Sequence, residues 1–173
     1  MHCIGTPETM HQYTLDVDIH QTVMDFFAQQ CKTLEAYGEQ QIILDPGIGF
    51  GKSLGANYQL LSNLQRYRYN KLPILIGISR KSLIFKLLGS TPQAAENGTT
   101  VLNTIALLHG ADILRVHDVK NAREAIELVR TFRNFAANLE PCVTCSYKSV
   151  SSNHRHYPRG GLVLRALPHT ERL

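Results

Sequence analysis

An aspartate, a lysine, an arginine and a histidine each follow a short apolar run in this chain, and together they could grip a donor-rich heterocycle and an anion. The first such stretch reads Leu44-Asp45-Pro46-Gly47-Ile48-Gly49-Phe50-Gly51-Lys52. A carboxylate such as Asp45 accepts hydrogen bonds from ring and amino N–H groups, and three glycines at every second position let the backbone turn and approach a ligand closely. The run lacks the G-x-x-x-x-G-K-[ST] spacing of a nucleotide phosphate loop. An ordinary Gly-rich turn whose aspartate caps a helix stays open as the other reading.

The second stretch is Gly77-Ile78-Ser79-Arg80-Lys81-Ser82. It opens a short amphipathic helix expected over residues 83–88, and two bases and two hydroxyls at a helix start can hold a carbonyl oxygen or an anion. A solvated basic turn with Ser79 as N-cap is the alternative. The third is Leu114-Arg115-Val116-His117-Asp118-Val119, where strand alternation puts Arg115 and His117 on one face, a guanidinium and an imidazole meeting one anionic group. Burying an arginine on an apolar strand without an anion is costly, which favours an anion site over a satisfied core histidine. The stretch from His2 to Pro7 ends a further run; Gly5 and Pro7 mark a turn there, and a structural role is favoured over a ligand contact for His2. Cys142, Cys145, His154 and His156 lie close together near the end of the chain, but their spacing departs from that of a zinc finger, and no metal is assigned to them.

What must position these residues is a set of parallel strands, because in parallel α/β architectures the ligand site lies beyond the C-terminal strand ends. Near-continuous apolar runs, of the kind buried on both faces, predict strands over residues 1–4, 41–44, 73–76 and 112–116. Helical periods fill the intervals over residues 19–37, 57–67, 98–109 and 121–137. Their predicted apolar faces are Val23, Phe26, Phe27, Cys31 and Leu34; Leu60, Leu61 and Leu64; Val101, Leu102, Ile105 and Leu108; and Ala125, Leu128, Val129, Phe132 and Phe135. This β/α alternation predicts an α/β body over residues 1–140 with four parallel strands. Residues 141–173, rich in Ser, Arg, His, Pro and Gly, read as an irregular, flexible tail.

Composition narrows the function classes. Through Glu140 the chain carries thirteen Lys and Arg against thirteen Asp and Glu, so the formal charge of +4 arises entirely in the tail. A neutral body gives no basic face for a phosphate backbone, and no nucleic acid is expected. No run approaches the roughly 18 apolar residues of a membrane span, and no signal peptide opens the chain, so no membrane association and a cytoplasmic location are expected. Four cysteines, split between body and tail, read as reduced thiols.

The stretches MHCIGTPETM, ILDPGIGFGK, GISRKS and RVHDV, in this order and at these separations, resemble the signature stretches of dihydropteroate synthase over about residues 1–138. The resemblance implies the last four β/α units of a (β/α)8 TIM-type barrel. It also implies a transferase of folate biosynthesis, inhibited by sulfonamides. In that family the amine of 4-aminobenzoate attacks the methylene carbon of 6-hydroxymethyl-7,8-dihydropterin pyrophosphate, giving dihydropteroate and pyrophosphate. By resemblance Asp45 binds the pterin N–H groups, Lys81 binds the pterin and orders the site, and Arg115 and His117 hold the pyrophosphate. Ser82 meets the aminobenzoate carboxylate, and Phe50 and Gly77 line the pocket. Lys81, Arg115 and His117 are the expected catalytic residues, stabilising the leaving group electrostatically without a protein nucleophile.

The same resemblance implies a Mg²⁺ cofactor whose protein ligand belongs to the first barrel strand, outside the four units seen here, so no residue of this chain is assigned to metal. The internal start and unfamiliar tail suggest a truncated gene product. Four strands leave two edges open, predicting a homodimer or association with a complementary half-barrel. A non-catalytic pterin or anion binder, or an inert remnant, is the other functional reading.

Overall fold

The computed structural model describes residues 1–5, 18–39 and 41–137. The chain divides into two units, Met1–Leu139 and Glu140–Leu173, of which the second lies outside the described residues, and the zinc candidates with it.

Five α-helices alternate with extended segments. Helix α1, Ile19–Ala36, starts at Asp18, whose carboxylate accepts from the N–H of His20 at 2.9 Å and of Gln21 at 3.4 Å. It buries Ile19, Val23, Phe27 and Cys31, a stripe at spacings of four that faces the sheet, while Leu34 is left exposed. Helix α2, Leu54–Ser62, is capped by Ser53, whose Oγ accepts from Ala56 N at 3.1 Å. It begins three residues before the predicted start and stops at Ser62, where Asn63 Nδ2 donates back to Gln59 O at 3.1 Å and a 3₁₀ turn, Leu64–Tyr67, takes over. Side-chain amides compete for backbone carbonyls in this way, and apolar periodicity does not register it. Helix α3 is the single turn Ser82–Phe85, α4 is Glu96–Leu108, and α5 is Val119–Ala137.

The sheet is narrower in its hydrogen bonding than the apolar runs predict. Strand β1, Leu75–Ile76, pairs in parallel with β2, Ile113–Leu114, in the register Leu75 to Ile113. Leu44 forms a parallel bridge to Ile74, with Leu44 N donating to Pro73 O at 2.9 Å and Leu75 N to Leu44 O at 2.7 Å. His2 N donates to Asp45 O at 2.8 Å and attaches the first segment to the second. The four segments therefore lie side by side in chain order, as the β/α alternation requires.

One face of this strip carries the core. Leu44, Ile74, Ile76 and Ile78 are buried together with Leu60, Leu61 and Leu64, and each such side chain stabilises by about 1.5–3 kcal/mol. The opposite face is open, with Ile43 51% exposed and Ile113 half-buried, so the expected burial on both faces does not hold among the described residues.

The two last helices also turn differently from their predicted faces. Helix α4 buries Thr99, Leu102, Asn103, Ala106 and Leu107 and leaves Val101, Ile105 and Leu108 exposed. Helix α5 buries Ala122, Ala125 and Val129, and leaves Leu128 72%, Phe132 63% and Phe135 71% exposed. Small residues win the inner positions because helix and sheet approach too closely there for large ones, whatever their hydrophobicity.

Candidate functional site

The C-terminal ends of the segments converge on a set of charged side chains held by the backbone and by each other. Asp45 leaves the bridge at Leu44 and is itself buried. Its Oδ1 accepts from Gly47 N at 2.8 Å, closing an Asx turn across Pro46, and its Oδ2 stands 3.3 Å from Arg115 Nη2. The cap of the following helix is Ser53, so the reading of Asp45 as a helix cap is set aside.

The glycine loop is pressed against the first segment. Gly47 has φ +69, and a Cβ there would lie 1.7 Å from His2 O, which only glycine avoids. Lys52 Nζ closes the loop from behind, donating to Gly47 O at 2.8 Å, Phe50 O at 3.0 Å and His2 O at 3.5 Å. Asn57, buried on α2, accepts from Gly49 N at 2.6 Å and donates to Lys52 O at 3.2 Å and Ser53 O at 2.8 Å.

Lys81, the residue that starts α3, crosses to the same loop. Its ammonium bonds Ile48 O and sits 4.2 Å above the centroid of the Phe50 ring, a cation–π arrangement. Burial lowers its pKa to about 8, and Arg115 adds to this against the pull of Asp45. Burial likewise lowers Lys52 to about 8, with Cys3 and Asp45 opposing and Lys81 assisting. Two lysines near one carboxylate are thus both close to neutrality at mildly basic pH.

Beyond β1 and β2 lies a shallow cavity of about 120 Å³ lined by Gly77, Ser79, Lys81, Arg115, Val116 and His117. Gly77 makes room for it: a Cβ there would stand 3.0 Å from Arg115 Nε and Nη2, so only a glycine lets the guanidinium lie across the end of β1. The burial expected for Arg115 and His117 is not found. The Arg115 side chain is 54% exposed and His117 is exposed, because both stand past the last ladder bond, Arg115 N to Ile76 O at 2.9 Å. Arg115 needs no anion to be accommodated here, since Asp45 already partners it.

Other sequence candidates fall at the margin or outside. Ser79 does not cap α3; its Oγ accepts from His117 N at 3.3 Å and ties the two strand ends together. Ser82 is exposed on α3 and does not line the cavity. The His2 ring packs edge-on against Phe26 at 5.2 Å, and burial, with Lys52 and the N-terminus, lowers its pKa to about 4, which fits the structural role favoured for it.

Sequence reasoning missed Lys52, Asn57 and the pair Arg80–Asp118. Arg80 has φ +55 and reaches Asp118 with two bonds, Nη2 to Oδ1 at 2.6 Å and Nε to Oδ2 at 3.1 Å. That pair lowers the Asp118 pKa through its hydrogen bond. The signal for Lys52 was present: a lysine at the end of a glycine run has loop carbonyls within reach and few other partners. Among the described residues no group of three or more His, Cys, Asp and Glu side chains is disposed to hold a metal ion, so these residues do not build a Mg²⁺ site.

This combination of a strand-end carboxylate, a lysine over an aromatic ring and an arginine at the next strand end is matched by known proteins. Residues 1–117 match the family described as pterin binding enzyme. The chain belongs to the pterin-binding enzyme family. Over 131 residues it is 40% identical to the dihydropteroate synthase of Escherichia coli (strain K12), covering 75% of this chain and 46% of that protein. The crystal structure of the Yersinia pestis dihydropteroate synthase with a sulfonamide drug complex matches with a TM-score of 0.75 at 38% identity, over 77% of this chain and 49% of that one. The Burkholderia cenocepacia dihydropteroate synthase complexed with 7,8-dihydropteroate matches with a TM-score of 0.73 at 32% identity, over 80% and 53%.

The chain thus spans about half the length of the relatives it matches. Its fold is part of the (β/α)8 barrel of these pterin-binding enzymes, as the alternation of strands and helices implies. No helix among the described residues is long and apolar enough to cross a membrane.

Proposed function

We propose that the strand-end face of this chain is the pterin-binding half of a dihydropteroate synthase site. The observation that carries the reading is the buried Asp45 carboxylate, flanked by Lys81 and by Arg115 at 3.3 Å, at the ends of parallel segments. In this reading Asp45 accepts from the amino and ring N–H groups of 6-hydroxymethyl-7,8-dihydropterin pyrophosphate, and the Lys81 and Phe50 pair borders the ring. Arg115 exchanges its exposed contact with Asp45 for the pyrophosphate at little cost, since an exposed ion pair contributes about 0–1 kcal/mol. His117 joins it there, and Ser82 at the rim meets the carboxylate of 4-aminobenzoate.

The chemistry follows from that placement. The aminobenzoate nitrogen forms a bond to the methylene carbon, the carbon–oxygen bond to pyrophosphate breaks, and the amine loses a proton. Arg115 and His117 favour the departing charge over the bound ground state, which lowers the barrier without a covalent protein intermediate. The described residues build no metal site, so Mg²⁺, implied by resemblance, enters none of these steps. The complete activity is assigned to a barrel in which this chain associates with a complementary half, through the open face that leaves Ile43 and Ile113 uncovered. Residues 1–140 form the binding domain in this account and residues 141–173 a separate tail, and the cytoplasm is where its substrates meet it.

The test is to incubate the chain with the pterin pyrophosphate, 4-aminobenzoate and Mg²⁺, alone and mixed with the separately produced N-terminal half of a related synthase. Dihydropteroate should form in the mixture and not with the chain alone. No product in a mixture that forms a stoichiometric complex would refute the proposal, and turnover by the chain alone at the rate of a full-length synthase would refute the need for a second half.

A further inference from the structure

Lys52 is a buried cation with no carboxylate within ion-pair distance, and nothing in the proposed chemistry uses it. Its ammonium has three bond partners instead, and all are backbone carbonyls: Gly47 O at 2.8 Å, Phe50 O at 3.0 Å and His2 O at 3.5 Å. Two belong to the glycine loop and one to the first segment, which are 50 residues apart in sequence for the Lys52–His2 contact. An ammonium has three donors and no acceptor, so this set uses its full bonding capacity. Removing it would leave carbonyls turned toward one another in a partly buried place, which is unfavourable by dipole repulsion and by lost hydrogen bonds.

The loop held in this way carries the groups that face the cavity side. Gly47 N bonds Asp45 Oδ1 at 2.8 Å, so a shift of Gly47 rotates the carboxylate. The Phe50 ring lies 4.2 Å beneath the Lys81 ammonium, and the Lys81 side chain runs past Gly49, where a Cβ would stand 3.0 Å from its Cδ. Asn57 fastens the middle of the loop through Gly49 N at 2.6 Å and binds Lys52 O in the same reach. With glycine at positions 47, 49 and 51, and φ positive at each, the loop has little conformational preference of its own and takes its shape from these two side chains.

We propose that Lys52 is a positioning residue: its ammonium, seated among the carbonyls of His2, Gly47 and Phe50, sets where the Asp45 carboxylate and the Phe50 ring stand. The role rests on the pterin-site reading for its purpose but not for its geometry. A binding group held within a fraction of an ångström depends on such supporting contacts, and loss of one weakens affinity without removing any group that touches the ligand.

The experiment uses the 173-residue chain labelled throughout with 4-fluorophenylalanine, whose six phenylalanines give six ¹⁹F resonances. The Phe50 signal is assigned by its loss in Phe50→Tyr. In Lys52→Met the Phe50 resonance should shift and broaden while those of Phe85, Phe132 and Phe135 stay in place and the melting transition remains cooperative. Lys52→Arg, which keeps charge and donors, should return the Phe50 resonance toward its original position.

A parallel fluorescence titration with 7,8-dihydropterin should give a dissociation constant about tenfold higher in Lys52→Met and within about threefold of the parent in Lys52→Arg. An unmoved Phe50 resonance in Lys52→Met would overturn the proposal. So would a Lys52→Met chain with no cooperative melt, because Lys52 would then support the whole core and not the loop. If the parent chain binds no dihydropterin while Phe50 alone moves in Lys52→Met, the positioning role stands and the pterin reading fails.

Discussion

At the strand ends of the body, charged side chains are held in place by backbone groups and by one another; along the outer side of α4 and α5, large apolar side chains stand free of any neighbour that covers them. Asp45 is tied to Gly47 and Arg115, Lys81 to Ile48 and Phe50, and Arg80 to Asp118. On the outer side Val101, Leu108, Leu128, Phe132 and Phe135 are exposed, and a groove of about 640 Å³ between the two helices is lined by Glu96, Asn97, Thr104, Asn121 and Leu128. That groove is far larger than the 120 Å³ cavity at the strand ends, yet the polar pair that bounds it, Asn121 Nδ2 to Glu96 Oε1 at 2.8 Å, satisfies itself and points at no ligand. Cavity size therefore misdirects here, and the convergence of buried charges with perturbed lysines locates the site.

The contrast can be broken most easily at the level of stability. Ile76→Ala removes a fully buried side chain from β1 and should cost about 2–5 kcal/mol, whereas Phe132→Ser on the outer side of α5 should stay within about 0.5 kcal/mol. Urea melts of the two variants check this, and equal losses would mean that the outer face is as firmly packed as the inner one.

A smaller effect sharpens the electrostatic side of the comparison. Lys81 falls from its ordinary 10.5 to about 8 in the folded chain, so between those values the unfolded state binds more protons and folding is favoured by rising pH. Below about pH 8 the buried ammonium carries its full penalty. Lys81→Met should therefore melt higher than the parent at pH 7, with the difference shrinking as the pH approaches 10.5. Thermal melts of both chains at half-unit pH steps check the sign, and a difference that grows with pH would contradict it.

Much of the site was legible in the sequence because parallel β/α units leave few places for chemistry. Once residues 41–44, 73–76 and 112–116 read as strands, Asp45, Lys81 and Arg115 had to emerge at the same end of the sheet, and they do. What stayed illegible depends on contacts across the fold. The predicted burial of Arg115 took a strand residue to be enclosed, while the last ladder bond falls at Arg115 N itself and the side chain projects beyond it.

The inner face of α4 includes Thr99 and Asn103, which a count of apolar residues discards. Thr99 is accommodated because its hydroxyl donates to Ala95 O at 2.8 Å and accepts from Arg80 N at 3.0 Å. Lys52 and Asn57 escaped because their partners are backbone carbonyls and amides, which have no letter in a sequence.

The account stands or falls on Asp45. A fluorescence titration of the chain with 6-hydroxymethyl-7,8-dihydropterin pyrophosphate, repeated with Asp45→Asn, measures it directly. Asparagine keeps the shape but removes the negative charge and one acceptor oxygen from a donor-rich ligand, a loss of roughly 1.5–3 kcal/mol or about tenfold to a hundredfold in affinity. The account predicts saturable binding by the parent and a loss of that size in Asp45→Asn, with the melting temperature of the two chains within a few degrees. Equal affinity in both chains would contradict it.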